Sequence, residues 1–341
     1  MKIAVLTGGG DCAGPKAVIR AVVKRAEDGG DTVIGIRRGW AGLLDLDTVE
    51  LHYDEIDETI RMGGTILKTS RKNPYKIKDG PEKVAENLHK MGVDGLIAIG
   101  GDDTLGVANK LWKDKGIKVV GVPKTIDNDL SGTDVTFGFY SAVDEAMRMI
   151  DNIYSTGKSH DRVMVVEVMG RHAGWIALVA GIASGAHLIL TPEKPFKIGD
   201  VIEFVKKRHG SGKTPTVIVI AEGTPIEGKV IAEGAKVDEF GHVRMRGVGK
   251  YLAERIEEAT EFEVRDVVLG HVIRGGSPNA FDRFLCTRLG VAAVDCLRSG
   301  KYGVMVALRG MDIVPIPLEE AVGKLKTVPE ELLELTEIFK G

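Results

Sequence analysis

Short apolar runs alternate with helical segments along the chain, and this alternation constrains the fold more than any other feature. Strand-like runs cover residues 2–7, 95–99 and 117–122, and a helical segment at 105–115 separates the last two. Strands that alternate with helices predict parallel sheets with helices on both faces. Because a second alternating set begins near Gly138, we expect two α/β domains.

Length and composition narrow the class of protein. The chain has 341 residues, which suits two domains, and 43% of them are hydrophobic. A net charge of −3 gives no reason to expect nucleic acid or a membrane surface as partner. The 3 cysteines lack zinc spacing, so we expect reduced thiols and a cytoplasmic protein. The first residues run into glycine too soon for a signal peptide, and no apolar run approaches the roughly 18 residues of a membrane helix.

The most informative turn is the segment 123–129, which directly follows a strand-like run. It holds the cation Lys124, the hydroxyl of Thr125 and the carboxylates of Asp127 and Asp129. Ligand sites of α/β sheets lie at the carboxyl ends of strands. One carboxylate there is suited to take a proton from a substrate hydroxyl while a neighbour or a metal holds the geometry.

A second charged turn follows the preceding strand, where Gly100, Gly101, Asp102 and Asp103 lead into a helix. Glycines let backbone amides approach an anion, and a helix N-terminus favours negative charge. An aspartate in this place suits Mg²⁺ that accompanies phosphate, rather than phosphate itself. Two charged turns at the ends of neighbouring strands therefore predict phosphoryl transfer.

Other patterns leave alternatives open. The glycine turn at 8–11 has two interpretations, a phosphate-binding turn or a tight strand-to-helix connection. The loop with Arg71 and Lys72 also has two, a loop that covers phosphate or a solvated surface turn. Residues 210–214 resemble the end of a nucleotide-binding loop. They precede a strand, however, and Lys207 stands where the first glycine is required, so we interpret them as a surface loop.

Three segments occur in a specific order: PKTIDND at 123–129, MGRHAG at 169–174 and GHVIRGGSP at 270–278. Together they resemble the phosphofructokinase family, of the type common in bacteria. The resemblance covers nearly the whole chain. It implies an α/β fold of two stacked domains with mainly parallel central sheets and an active site in the cleft between them.

The resemblance also implies a division of the chain between the two domains. The phosphoryl-donor domain, for pyrophosphate and Mg²⁺, takes residues 1–137 and 258–304. The sugar-phosphate-binding domain takes residues 138–257 and 305–341. The chain is therefore expected to cross between the domains more than once.

Individual residues acquire roles by the same resemblance. Asp127 matches the general base that takes the proton from the sugar 1-hydroxyl, Thr125 matches a residue that holds the sugar and the phosphoryl group, and Arg171 matches a cation near the phosphoryl in flight. Other matched positions touch the sugar or its 6-phosphate: Ile126, Arg162, Met169, Gly170, Glu222, Arg265, His271, Val272, Ile273 and Arg274. Clustered cations are the right chemistry for a phosphate dianion.

The remaining matches concern the donor, the metal and the assembly. Asp102 matches the Mg²⁺-associated aspartate, and the donor site is matched by Gly10, Arg71 and Lys72. In the family, the arginines at positions 162 and 265 come from an adjacent subunit. We therefore expect a homo-oligomer, a dimer or a tetramer, whose subunits share active sites.

The phosphoryl donor depends on Asp103 and Lys124. Family members that use ATP usually carry glycine in place of Asp103, and many carry glycine in place of Lys124, whereas this chain resembles the pyrophosphate-dependent type. Asp103 adds bulk and negative charge where an α-phosphate of ATP would lie, and Lys124 neutralises the leaving phosphate. We expect reversible phosphoryl transfer from pyrophosphate to the 1-hydroxyl of fructose 6-phosphate, which gives fructose 1,6-bisphosphate and phosphate. The alternative is an ATP-dependent 6-phosphofructokinase.

The chain departs from the family in its first loop, where Ala13 and Lys16 replace the usual proline and asparagine. This departure leaves open a non-catalytic sugar-phosphate-binding protein. A kinase of the NAD or lipid type is a further alternative, but such kinases lack the PKTIDND and GHVIRGGSP segments. Tyr154 replaces an arginine of the family's effector site, so we expect weak or absent regulation by nucleotides or phosphoenolpyruvate.

Overall fold

The computed structural model describes residues 1–227, 232–237, 243–245 and 247–341. The strands are β1 (Lys2–Thr7), β2 (Thr32–Ile36), β3 (Thr48–Leu51), β4 (Gly95–Gly100), β5 (Val119–Pro123), β6 (Val163–Val168), β7 (Leu188–Leu190), β8 (Thr216–Ala221), β9 (Ala232–Val237), β10 (Val243–Met245), β11 (Val264–Val268), β12 (Val304–Arg309) and β13 (Asp312–Pro317). The helices are α1 (Pro15–Glu27), α2 (Trp40–Asp45), α3 (Tyr53–Ile56), α4 (Gly80–Lys90), α5 (Asp102–Lys115), α6 (Phe139–Ser159), α7 (Trp175–Ala183), α8 (Ile198–Gly210), α9 (Val248–Ala259), α10 (Ala280–Arg298), α11 (Leu318–Ala321) and α12 (Glu330–Ile338). Short 3₁₀ turns lie at Asp57–Arg61, Pro74–Lys76 and Gly270–Arg274.

The larger sheet has the strand order β13-β12-β5-β4-β1-β2-β3 among the described residues. Its central pairs are parallel, and the two edge strands, β3 and β13, pair antiparallel with their neighbours. Every residue of β4 and β5 is buried, as expected for parallel strands that are covered by helices on both faces. The carboxyl ends of these two strands therefore meet at one edge of the sheet.

The smaller sheet has the order β11-β6-β8-β7, and all of its pairs are parallel. The strands β9 and β10 form a separate antiparallel pair. Two α/β units with mostly parallel sheets confirm the predicted fold class. No helix among the described residues is both long and apolar enough to cross a bilayer.

Two local expectations from the sequence are wrong, and one strand is missed. The sequence predicts a loop at residues 39–44, but α2 occupies this stretch because Trp40, only 2% exposed, anchors it in the core. The sequence also predicts that a strand at 303–308 is the last, yet β13 follows it after a tight turn and pairs antiparallel with β12. The strand β3 has no counterpart among the expectations from the sequence. Both β3 and β13 lie at sheet edges with only one fully buried residue each, so neither shows the continuous apolar burial of an interior strand.

Sheet membership departs from the predicted domain ranges at two places, and the division into domains stays a prediction. The strand β11 falls in the predicted donor range but pairs with β6 in the smaller sheet. The strands β12 and β13 fall largely in the predicted sugar-phosphate range but extend the larger sheet beside β5. A strand joins whichever sheet offers an unpaired edge, and the order of elements along the chain does not reveal that choice. Within the same predicted range, residues 228–231, 238–242 and 246 lie outside the described residues.

A buried carboxylate joins the two long helices α6 and α10. Asp282 of α10 accepts hydrogen bonds from the backbone N–H of Gly138 (3.0 Å) and from the N–H (2.9 Å) and hydroxyl (2.5 Å) of Ser141. Asp282 thus accepts from backbone N–H groups at the start of α6 that have no partner within the helix, although it lies far from them in the sequence. Burial raises the pKa of Asp282, while these hydrogen bonds oppose the rise. The contact holds α10 against the N-terminal end of α6.

Candidate active site

One cavity of about 490 Å³ opens at the carboxyl ends of β4 and β5 and is faced by turns of the smaller sheet. Its lining is rich in glycine and in charged side chains. The lining residues are Gly9, Gly10, Arg71, Gly101, Asp102, Asp103, Thr104, Lys124, Thr125, Asp127, Asp129, Met169, Arg171, His172, Glu222, His271, Arg274, Gly323, Lys324 and Leu325. The position matches the general place of ligands in α/β sheets.

The turn after β5 is shaped by its own hydrogen bonds. The hydroxyl of Thr125 accepts from the backbone N–H of Asp127 at 3.1 Å. Asn128 adopts a left-handed conformation (φ 51°), and its side-chain oxygen accepts from the backbone N–H of Thr136 at 3.0 Å. The hydroxyl of Thr136 in turn donates to the carbonyl of Thr125 at 2.7 Å. Asparagine tolerates this backbone conformation better than most residues, so the segment folds back and presents its acidic side chains to the cavity.

Lys124 occupies the floor of the cavity. Its side chain is 3% exposed, and its ammonium donates to the carbonyl oxygen of Gly10, in the first glycine turn. Burial lowers the pKa of Lys124, and the cation of Arg274 adds to this effect, while Cys12 and Asp11 oppose it. A bound anion would stabilise the charged form of Lys124 and raise its pKa again, so the buried ammonium is suited to a phosphate group.

Carboxylates also line the cavity, among them those of Asp127, Asp129 and Glu222. Burial raises the pKa of Asp129 to about 7, and the neighbouring charges of Asp127 and Asp102 add to the rise. Burial likewise raises the pKa of Glu222 to about 7, again with a contribution from Asp127, while Arg171 lowers it. The Oδ1 atom of Asp127 is buried and has no hydrogen-bond partner among the described residues. The charges of these three carboxylates are thus only partly compensated by cations and hydrogen-bond donors, which is typical of sites that move protons or bind cations.

These carboxylates fit a divalent cation that arrives with phosphate. No cluster of three metal-ligating side chains occurs in the described part of the chain. Mg²⁺ commonly takes one or two carboxylates and completes its shell with water and substrate phosphate, so a full protein cage is not required. Asp102 lines the cavity and is exposed at the start of α5, and its Oδ1 accepts from the N–H of Gly323 at 3.2 Å.

The structure brings most of the predicted site residues to this cavity. Those that line it are Gly10, Arg71, Asp102, Asp103, Lys124, Thr125, Asp127, Met169, Arg171, Glu222, His271 and Arg274. Others lie nearby without lining it: Lys72 and Gly170 adjoin lining residues, and Val272 is 58% exposed. The side chains of Ile126 and Ile273, each 1% exposed, belong to the hydrophobic core, so any ligand contact they make runs through the backbone.

Two predicted phosphate-binding arginines lie outside the cavity of their own chain. Arg162 precedes β6 and pairs with Glu263 at 2.7 Å. Arg265 is on the edge strand β11 and pairs with the same carboxylate, and with Glu257 at 3.7 Å. Glu263 thus holds both guanidinium groups together at the open edge of the smaller sheet.

Sequence reasoning missed several residues at the cavity. Gly323, Lys324 and Leu325 come from the segment after α11, to which the sequence alone assigns no role. His172 and Thr104 also line the cavity next to predicted residues. Gly323, Lys324 and Leu325 had no recognisable signal in the sequence. Their segment reaches the cavity from a region that has no charged turn after a strand.

The raised pKa of Glu222 has a consequence for stability. Its folded value of about 7 exceeds the ordinary value of about 4.3, so the folded chain binds more protons and loses stability as pH rises from about 5 to about 8. Glu222→Gln removes this loss. The free energy of unfolding of the variant, relative to the wild type, is expected to rise by about 1–3 kcal/mol over that range.

Urea unfolding of both proteins at several pH values measures this difference. Glu254→Gln, at an exposed position of α9, is the matched control and should show a nearly constant difference. A difference for Glu222→Gln that does not vary with pH would contradict a buried, proton-binding carboxyl at this position.

Comparison with known proteins finds similarity to phosphofructokinases. The sequence profile of the family described as phosphofructokinase matches residues 2–297. A pyrophosphate--fructose 6-phosphate 1-phosphotransferase of Amycolatopsis methanolica is 55% identical, with 100% of each chain covered. An ATP-dependent 6-phosphofructokinase of Mycobacterium bovis is 49% identical with the same complete coverage. The crystal structure of a pyrophosphate-dependent phosphofructokinase from Marinobacter aquaeolei is 26% identical, has a TM-score of 0.83, and covers 97% of this chain and 86% of its own.

Proposed function

The chain belongs to the phosphofructokinase family and is a phosphotransferase, and from that premise we propose that it transfers a phosphoryl group from pyrophosphate to the 1-hydroxyl of fructose 6-phosphate. The products are fructose 1,6-bisphosphate and phosphate. The observation that carries this choice of donor is that a buried Lys124 and Asp103 both line the same cavity. The bond that breaks in pyrophosphate and the bond that forms in the sugar phosphate ester have similar phosphoryl-transfer potential, so the reaction runs in both directions.

The general base is Asp127. It lines the same cavity as Lys124, which we assign to the donor side, and Arg171, which we assign to the sugar side. Its buried Oδ1, which has no hydrogen-bond partner among the described residues, is an acceptor for the proton of the sugar 1-hydroxyl. As the proton leaves, the oxygen attacks the phosphorus and the bond to the leaving phosphate breaks. Thr125 and Arg171 hold the phosphoryl group in line with the attacking oxygen.

The sugar side is served by residues of the smaller sheet and the 270–274 turn. Glu222, at the end of β8, accepts from a sugar hydroxyl, and Met169 and Gly170 lie beside the ring. His271 and Arg274 bind the 6-phosphate, together with backbone groups near Val272. Arg274 also donates to the carbonyl of Asp11 at 3.0 Å, which ties the sugar-phosphate pocket to the first glycine turn.

The donor side is served by the glycine turns. Gly10 presents backbone to the phosphates and its carbonyl holds Lys124, whose ammonium then neutralises the leaving phosphate. Arg71 and Lys72 contribute further positive charge at the rim. Asp103, half-buried in the first turn of α5, disfavours the additional phosphate and nucleoside of ATP by bulk and like charge.

The donor does not follow from overall similarity. The Amycolatopsis relative is named for pyrophosphate and the Mycobacterium relative for ATP, and their identities to this chain, 55% and 49%, are close. Local chemistry has to decide between them. For this reason ATP-dependent 6-phosphofructokinase stays as the second candidate.

Mg²⁺ completes the donor site in this proposal. When bound, it neutralises charge on the phosphates and orients them for transfer. Asp102 would hold it, with Asp129 as the neighbouring carboxylate. Burial raises the pKa of Asp129, the charges of Asp127 and Asp102 add to the rise, and a bound cation would relieve that repulsion.

The 6-phosphate pocket is shared between subunits in this proposal. Arg162 and Arg265 lie together at the edge of the smaller sheet and outside the cavity of their own chain. A second copy that packs against this edge would receive both guanidinium groups in its sugar-phosphate pocket. The working enzyme is therefore a homo-oligomer, a dimer or a tetramer. We place it in the cytoplasm, where its three free, buried cysteines stay reduced.

A direct comparison of donors tests the proposal. Purified protein receives fructose 6-phosphate and Mg²⁺ with either pyrophosphate or ATP, and fructose 1,6-bisphosphate is measured. We expect kcat/KM for pyrophosphate to exceed that for ATP by about 100-fold or more, since misplaced like charges cost several kcal/mol. A higher value for ATP would reject the donor and support the second candidate. Binding of fructose 6-phosphate without product from either donor would support a non-catalytic sugar-phosphate-binding protein.

A further inference from the structure

Residues 323–328, which we call the bridging segment, cross from one side of the cavity to the other. The segment begins after α11 and ends before α12. Three of its residues line the cavity, although no pattern in the sequence predicted this. Its hydrogen bonds explain how it is held there.

Several of these bonds reach the two acidic turns of the larger sheet. The N–H of Gly323 donates to Oδ1 of Asp102 at 3.2 Å, and the carbonyl of Lys324 accepts from the hydroxyl of Ser131 at 2.8 Å. Leu325 forms an antiparallel bridge with Leu130. The bridging segment therefore runs alongside the turn that carries the proposed base.

Lys326 makes the densest contacts of the segment. Its backbone N–H donates to the carbonyl of Asp129 at 2.9 Å. Its ammonium donates to Oδ1 of Asn128 at 2.9 Å, to the carbonyl of Thr133 at 3.0 Å and to the carbonyl of Asp134 at 2.8 Å. All three N–H donors of the ammonium are thus used by acceptors within residues 128–134. Burial lowers the pKa of Lys326 to about 8, and the charges of Asp134 and Asp129 oppose this.

Asn128 links this cage to the base. It is 2% exposed, adopts φ 51° and directly follows Asp127. Its Oδ1 is shared between the ammonium of Lys326 and the backbone N–H of Thr136. Because the left-handed residue sets the direction of the chain at this point, the ammonium that holds it also fixes where Asp127 points.

The other side of Lys326 contacts the smaller sheet's domain. Its carbonyl accepts from the indole N–H of Trp175 at 2.9 Å, and its ammonium lies 5.3 Å from the centre of the indole ring. Two residues further on, the N–H of Val328 donates to Glu193 at 3.0 Å, and the same carboxylate accepts from the N–H of Gly174 at 2.9 Å. Gly174 and Trp175 end the turn that carries Arg171.

We propose that Lys326 is a positioning residue that holds the turn of Asp127 and the turn of Arg171 at the separation that phosphoryl transfer requires. The inference rests on the proposed function of those two residues. Lys326 touches no reacting atom; it acts through Asn128 on one side and through Trp175 on the other. Loss of the ammonium would remove a donor from three oxygen acceptors and would let the acidic turn move.

The test replaces the ammonium and then restores it. Lys326→Met keeps the apolar stem but removes the charge. We expect kcat to fall about 10–100-fold with KM for both substrates changed less than about threefold, because a displacement of about 1 Å costs up to 10²-fold in rate. Hydrogen exchange of backbone amides in residues 125–136 should accelerate, while amides of β7 and β8 keep their protection.

Rescue separates positioning from general loss of structure. Lys326→Cys, alkylated with 2-bromoethylamine, regains an ammonium at nearly the original distance and should recover most of kcat. The native cysteines are buried, at 0%, 0% and 7% exposure for Cys12, Cys286 and Cys296, and equally treated wild type controls for them. Lys194→Met, which removes an exposed lysine paired with α12 at 2.9 Å, is the matched control and should keep wild-type kcat.

Three results would overturn the inference: an unchanged kcat in Lys326→Met, accelerated exchange throughout the protein, or an alkylated variant that stays as slow as the unmodified one. Failure of the proposed function has a different signature, because the wild type would then give no product with either donor. In that case the exchange of residues 125–136 still decides whether Lys326 positions this turn.

Discussion

Asp127→Asn is expected to lower kcat about 10²- to 10⁴-fold, which is the usual contribution of a general base to proton transfer. Asparagine keeps the shape of the side chain and its place beside Thr125, so KM for fructose 6-phosphate and pyrophosphate should change less than about fivefold. Steady-state kinetics in the direction of fructose 1,6-bisphosphate synthesis measure both parameters. A loss confined to kcat identifies an interaction made in the transition state.

The surroundings of the two carboxylates favour Asp127, rather than its neighbour Asp129, as the proposed base. Burial, with the charge of Asp127 adding to it, raises the pKa of Asp129 to about 7, which makes Asp129 the weaker candidate for a proton acceptor at neutral pH. The Oδ1 atom of Asp127 is buried and has no hydrogen-bond partner among the described residues, so it is open to the hydroxyl proton of a substrate.

The matched control for this substitution is Asp312→Asn, at an exposed position on the edge strand β13, and it should leave kcat unchanged. If Asp127→Asn retains more than about a tenth of wild-type kcat, the proton acceptor lies elsewhere in the cavity. Asp129→Asn would then be the next substitution to measure.

The second large effect concerns the donor. Asp103→Gly is expected to raise kcat/KM for ATP about 100-fold, because removal of a carboxylate from the path of the α-phosphate relieves like-charge repulsion and bulk together. The value for pyrophosphate should change less, since Lys124 still neutralises the leaving phosphate. Parallel assays with the two donors give the ratio directly.

Asp103→Asn separates the two causes, because it removes the charge and keeps the bulk. If charge dominates, Asp103→Asn should admit ATP nearly as well as Asp103→Gly does; if bulk dominates, it should behave like the wild type. A glycine variant that discriminates against ATP as strongly as the wild type would show that neither property of Asp103 selects the donor.

The elements that follow from local pattern were predictable. Buried parallel strands such as β4 and β5 are continuous apolar runs, and the charged turns after them appear in the sequence as residues 100–103 and 123–129. Since parallel strands place their carboxyl ends at one edge, the meeting of Asp102 with Asp127 in one cavity follows from the sequence once the sheet is recognised.

What the sequence by itself determined is therefore the fold class, the family and the charged turns that form the site. The tertiary structure decided which sheet β11, β12 and β13 join, and it decided that the bridging segment returns to the cavity. The physical reason is the range of the interactions. Periodicity and turn chemistry act between residues a few positions apart. Edge pairing and the cage around Lys326 join groups about 100 to 200 positions apart, where local pattern carries no information about the partner.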